Sequence, residues 1–178
     1  MIRRTLLLAG AAGAAGAGLA SALSLPAAAQ QRAASPSGMA LDSTTQMALG
    51  GMAFALATSQ LAMQRAESPV ARTFAQLEAE EQMAFADARR MGGLPVPSPS
   101  MMDTQKQQMV QQLQSMSGAQ FDRMFVQGQI MGHQELLQLH QTLAQSGATQ
   151  GDRMLATVAV PAIKSHLAML QGIQQMRS

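Results

Sequence analysis

The sequence contains no cysteine, tryptophan or tyrosine, and its aromatic content is five phenylalanines. The missing thiols exclude a disulfide framework, a thiolate metal site, a cysteine nucleophile and a lipid-anchoring cysteine, so stability must come from packing. Charge is also scarce, at 12% of residues. The formal net charge of +2 comes entirely from Arg3 and Arg4; without them 10 Lys and Arg face 10 Asp and Glu. With Lys106 and Lys164 far apart in the chain, no clustered basic surface for nucleic acid is expected. No Ser lies in a G-x-S-x-G elbow and no Gly-rich phosphate loop is present, so no catalytic residue is assigned. Beyond the first thirty residues no run of ~18 uninterrupted apolar residues is found, and no transmembrane segment is expected there.

The amino terminus holds what the rest lacks. A basic start at Arg3-Arg4 precedes an apolar, Ala- and Gly-rich stretch to Leu25, then Pro26 and Ala27-Ala28-Ala29. This is the layout of a secretory signal over residues 1–29, with Ala27 and Ala29 as the small residues of an A-x-A cleavage site. The paired arginines are compatible with twin-arginine export as well as the general route. The expected location is the periplasm. Residues 30–41 are rich in Ala, Ser, Pro and Gly without apolar periodicity and are expected to be a disordered tether.

Residues 42–176 carry helical periodicity. Asp42, Ser43 and Thr44 offer capping oxygens ahead of a helix over residues 43–66, with Met47, Ala48, Met52, Ala55, Ser59 and Met63 among its apolar face. Ser68-Pro69 starts a second helix that Gly92-Gly93 stops. The Pro-rich residues 94–100 predict an extended connector, followed by a lightly docked short helix over residues 103–115 anchored by Met109, Val110 and Leu113. Two more helices follow over residues 118–146 and 150–176, the last interrupted and bent by Pro161. Two antiparallel hairpins joined by one long connection predict an all-α fold, a ferritin-like four-helix bundle with a crossover that carries an extra short helix.

Leu61-Ala62, Ala66, Ser68-Pro69 and Phe74, the step Phe121-Asp122-Arg123 leading to Gly132-His133, and the step from Pro161 to His166-Leu167 resemble the family called domain of unknown function 4142. The resemblance covers about residues 45–173 and implies a ferritin-like, exported bacterial protein. In similar members the first helix carries a Glu just before the Leu-Ala step, where this chain has Thr58-Ser59-Gln60. The second helix of similar members ends its motif with Asp-His, and Glu81-Gln82 stand there in this chain. His133 and His166 are the family-like polar residues that persist.

A di-iron bundle needs Glu-x-x-His on two helices, but Ile130 and Ile163 stand three residues before His133 and His166, which argues against di-iron oxygen chemistry. His133 lies on a helical stripe with Val126, Ile130, Leu137, His140 and Ala144, and His166 on one with Leu155, Val158, Ala162 and Met169. The two can face each other across the bundle, with Glu78 or Glu81 completing a mononuclear site for zinc, copper or iron. The expected metal ligands are His133, His166 and Glu81. The competing reading is a pair of internal imidazoles satisfied by a carboxylate or carbonyl. His140, with polar neighbours, is expected at the periphery. Of the 16 methionines, Met47, Met52, Met63, Met124, Met131, Met154 and Met169 are expected in the core. Met101, Met102 and Met109 are expected to be exposed, where thioethers suit copper(I). Gly128 and Gly132, one turn apart, predict the close approach of another helix.

Three functional readings result, the third being a degenerate relative of a ferritin-like oxidase. The first is a non-enzymatic bundle with a structural, stress-related or binding role and no cofactor. The second is a metal-binding protein holding a single transition-metal ion. A protein partner or self-association is open in each, since no specific patch stands out in the sequence.

Overall fold

The computed structural model describes residues 41–176. The expected leader, its cleavage residues Ala27 and Ala29, and nearly all of the expected tether lie outside the described residues. Five α-helices follow: α1 (Ser43–Arg65), α2 (Pro69–Met91), α3 (Thr104–Ser115), α4 (Gly118–Ser146) and α5 (Gln150–Gln175). Among the described residues there is no strand, so the expected all-α fold is observed.

The helix starts follow from capping chemistry. Asp42 accepts from the Thr45 amide at 2.9 Å and the Thr45 hydroxyl at 2.6 Å, and Asp103 accepts from the Lys106 amide at 2.8 Å; each satisfies amides that have no intrahelical partner. Ser68 caps α2, with Pro69 at the first helical position, where a missing N–H costs nothing. The connector before α3 holds a 3-10 turn at Pro99–Met101, which the extended reading of residues 94–100 did not include. Pro99 presets the φ that starts it.

α1 packs on α2 and on α4, α4 packs on α5, and α2 meets α5 more sparsely. One residue fixes the direction of the crossover. Buried Asp122, at the start of α4, accepts from the backbone amides of Glu67 and Ser68 at 3.1 and 2.9 Å, so α2 and α4 begin at the same end of the bundle. The chain between them must therefore travel back along its full length, and α3 lies on that return path. At the opposite end Arg89 donates to Asp152 at 2.9 Å and to the Pro95 carbonyl at 2.5 Å, while the Thr149 hydroxyl donates to the other Asp152 oxygen at 2.6 Å.

The core is built around Phe74, Phe121 and Phe125 with Leu113 and Leu170 at one end, and around Leu49, Met52, Leu136 and Ile163 in the middle. Gly128 and Gly132 do what their spacing predicts. Phe54 of α1 lies within 3.5 Å of where their Cβ atoms would stand, and Met109 within 2.7 Å at Gly128. The short helix α3 buries only Leu113 completely, with Met109 and Val110 half-buried, as its weak apolar content implies.

Several expectations are corrected. Met47, Met63, Met131, Met154 and Met169 are exposed, whereas Met102 is buried and Met101 and Met109 are half-buried. The reason is geometric. α1 is covered on several sides, by α2, α3, α4 and the 3-10 turn, so burial there follows contact with neighbours and not one stripe. The crossover methionines are pressed onto its surface. On α5 the buried line is Ala156, Ala159, Ile163, Leu170 and Ile173, one residue round from the expected one, which leaves Val158 exposed and His166 at the boundary. His140 is buried, not peripheral. Its Nδ1 pairs with the Leu136 carbonyl at 2.9 Å, and burial together with nearby Arg89 keeps it below the usual histidine pKa. α5 runs as one helix through Pro161. The carbonyl freed by the missing amide belongs to exposed Thr157, where water can satisfy it. By length and composition α5 is long and apolar enough to cross a bilayer, with Lys164 its only Asp, Glu, Lys or Arg after Arg153.

Candidate metal centre

Three helices place ionisable groups at one level of the core. On α2, Phe74, Glu78, Glu81 and Gln82 follow at three- and four-residue spacing, so they share a face. α4 contributes His133 and α5 His166. Glu78 and His133 are almost completely buried, a costly environment for a carboxylate without a compensating charge.

The compensation is direct. Glu78 Oε2 lies 2.8 Å from His166 Nδ1 and 3.3 Å from His133 Nε2, and the two imidazole nitrogens are 3.3 Å apart. These three atoms form a compact triangle. Burial on its own would raise the Glu78 pKa, but the hydrogen bonds and charges of His133 and His166 outweigh it and hold Glu78 well below the usual carboxylate range. Burial would lower His166, but Glu78 and Glu81 push it up to about 10.

The surroundings fix each group. His133 Nδ1 lies 2.9 Å from the Gln129 carbonyl, an acceptor only, so that nitrogen carries the proton and the lone pair of a neutral ring is on Nε2, aimed into the triangle. The Gln82 amide donates to Glu78 Oε1 at 2.9 Å. A carboxylate only accepts, so the amide must present its nitrogen there, and Gln82 Oε1 is left buried with no hydrogen-bond partner. Phe74 closes the site on its apolar side, with ring centroids 5.7 Å from His166 and 6.1 Å from His133.

Of the expected ligands, His133 and His166 come together, and the carboxylate that joins them is Glu78. Glu81 Oε2 stands on the far nitrogen of His166, at 3.4 Å, and its side chain is 31% exposed against 13% for His166. Among the described residues, Glu78, His133 and His166 are the group whose ligand atoms all lie within 4.8 Å of one another. Spacing on α2 puts both Glu78 and Glu81 near its apolar face, and it is the packing of α4 and α5 that brings Glu78 to the two imidazoles. Met101, Met102 and Met109 do not share this site. Met101 and Met102 line a separate cavity of about 280 Å³ with Lys106 and Glu135.

The chain matches the family described as Domain of unknown function (DUF4142) over residues 24–173. It belongs to that family. No curated protein and no solved structure matches it. In this DUF4142 chain the residues that carry the resemblance divide into two kinds. Ser68-Pro69 and Asp122 build the joint that brings the start of α2 to the start of α4, whereas His133 and His166 supply the triangle. Buried Thr58 and Ser59 receive the Gln129 amide at 2.8 and 3.1 Å, which holds α4 in place at the turn that precedes His133. Gln82 steadies Glu78 through its amide.

Proposed function

We propose that this DUF4142 protein is an exported, ferritin-like bundle whose role is to bind one transition-metal ion at Glu78, His133 and His166. The observation that carries the reading is the triangle itself. Ligand atoms on a tetrahedral zinc ion, each at 2.0–2.1 Å, stand about 3.3 Å from one another, and the separations here are 3.3, 3.3 and 2.8 Å. A slight separation of Glu78 Oε2 from His166 Nδ1 meets that requirement. Further support comes from the second layer. His133 is oriented by a carbonyl, His166 has Glu81 on its other nitrogen, and Glu78 has the Gln82 amide, the pattern of groups that orient and tune metal ligands.

One carboxylate and two imidazoles suit zinc first and ferrous iron second, with no soft donor among them to favour copper(I). Three protein donors leave a coordination position for an outside ligand. No pair of Glu-x-x-His motifs is present, so the binding role is stated without oxidase chemistry. Export to the periplasm is supported by the leader at residues 1–29, and a purified chain beginning at Gln30 in its intact mass is the check on it.

Calorimetric titration of the metal-free protein with zinc tests the site. The expected result is one equivalent bound, weakened at least 100-fold in Glu78→Gln and in His133→Ala with helicity retained. Binding of equal strength in both variants, or no binding, would return the cluster to the reading of a buried carboxylate neutralised by protonated imidazole.

A further inference from the structure

The Gln82 oxygen is the loose end of the site. Its amide nitrogen is committed to Glu78 Oε1 at 2.9 Å, and the oxygen is buried without a hydrogen-bond partner in a side chain that is 8% exposed. A buried acceptor of this kind calls for a donor, because nearly all buried polar groups in folded proteins have one, from the protein or from ordered water.

Gln82 shares a small cavity with His140. It lies between α1, α2, α4 and α5, where Gln82, His140 and Glu81 are joined by apolar side chains that include Met52, Phe85 and Ile163. It leaves the centre of a water molecule about 10 Å³ in which to sit, roughly the room that one water needs. His140 brings a second acceptor to the same wall. Its Nδ1 lies 2.9 Å from the Leu136 carbonyl, which only accepts, so that nitrogen carries the proton. Burial and the nearby Arg89 charge disfavour a second proton. Nε2 therefore presents a lone pair, and it has no hydrogen bond among the described residues. Two acceptors cannot bond each other. A water can donate one hydrogen to each, while the remaining polar side chain, Glu81, has Oε2 on His166 at 3.4 Å.

We propose that one buried water bridges Gln82 Oε1 and His140 Nε2, and that His140 is thereby a positioning residue of the metal centre. Held at both ends, the Gln82 amide cannot turn over, and its nitrogen stays on Glu78 Oε1 while Oε2 faces the imidazoles. The positioning role rests on the metal-binding reading above; the bridge does not.

Oxygen-17 magnetic relaxation dispersion, which counts long-lived internal waters, tests the bridge in the metal-free protein. One fewer is expected in Gln82→Met, in His140→Leu and in the double variant alike, since a water left with a single partner escapes. Long-range nitrogen-15 spectra should show wild-type His140 with its proton on Nδ1. Its Nε2 signal should move downfield in Gln82→Met, a change that a merely space-filling His140 would not make. In zinc titrations Gln82→Met should bind about tenfold more weakly and His140→Leu about threefold, with the double variant no weaker than Gln82→Met alone, because the two act through one chain of bonds. Losses that multiply in the double variant, or an unchanged water count in either single one, would overturn the proposal. Two metal equivalents per chain, one of them lost in Gln82→Met, would assign the cavity to a cation and overturn it as well. A wild-type chain that binds no zinc yet loses its water in both variants would overturn the metal-binding reading and uphold the bridge.

Discussion

Two buried polar clusters, at different levels of one bundle, solve the problem of interior charge differently. At the end where α2 finishes and α5 begins, Arg89 and Asp152 form a closed set: fixed cation on fixed anion, with Pro95 and Thr149 taking up further hydrogen-bonding capacity. In the middle, Glu78 faces two imidazoles whose charge depends on protons, and three potential ligand atoms lie close together. Arginine stays charged at any pH of interest and leaves nothing to be added. Histidine gives up its proton to a metal. Equal burial therefore yields a lock in one place and, on the proposed reading, a metal site in the other.

The largest effect expected is on the lock. Asp152→Ala leaves a buried guanidinium without its anion and should cost about 3–5 kcal/mol, read as a lowered chemical-denaturation midpoint, with zinc stoichiometry unchanged. Loss of zinc in this variant would mean that the two clusters are not independent. Next comes the binding site. His133→Ala/His166→Ala should abolish stoichiometric zinc while changing far-UV circular dichroism little. Glu81→Gln should be milder, weakening zinc about tenfold, at the lower end of what orienting partners contribute; a loss as deep as that of Glu78→Gln would make Glu81 a direct ligand.

The smallest effect is a pH dependence, and its sign separates the clusters again. In the metal-free chain Glu78, held low, adds stability that is present above the unfolded carboxylate pKa of about 4.3 and is lost as pH falls through its folded value. His166, raised to about 10, adds stability that is full below the unfolded value of about 6.5 and declines as pH rises towards its folded one. The metal-free protein should therefore melt highest between about pH 5 and 6.5. Zinc competes with the His166 proton, so the rise in melting temperature on adding zinc should be greater at pH 8.5 than at pH 6. In the double histidine variant that difference should vanish. The Arg89–Asp152 pair should contribute nothing to it.

Much of this was legible from residue order. Capping residues and glycines marked the helix limits because those signals act within four residues. His133 and His166 could be brought face to face because each lies on an apolar stripe. What periodicity missed was set by contact between helices. Glu78 and Glu81 sit three residues apart on nearly the same side of α2, and only the placement of α5 decides which one reaches the centre of the triangle. His140 has polar neighbours in sequence yet is buried, because the level of the core it occupies is walled by Met52, Phe85 and Ile163 from three other helices. The methionines mislead for the same reason. Their flexible, weakly polar side chains are tolerated on an exposed helix face as readily as in a core.

The most direct measurement is elemental analysis of the protein purified from expressing cells without chelators, beside the His133→Ala/His166→Ala variant. The account predicts close to one zinc or iron per wild-type chain and none in the variant, with both equally helical. Metal absent from both, or retained by the variant, would contradict it.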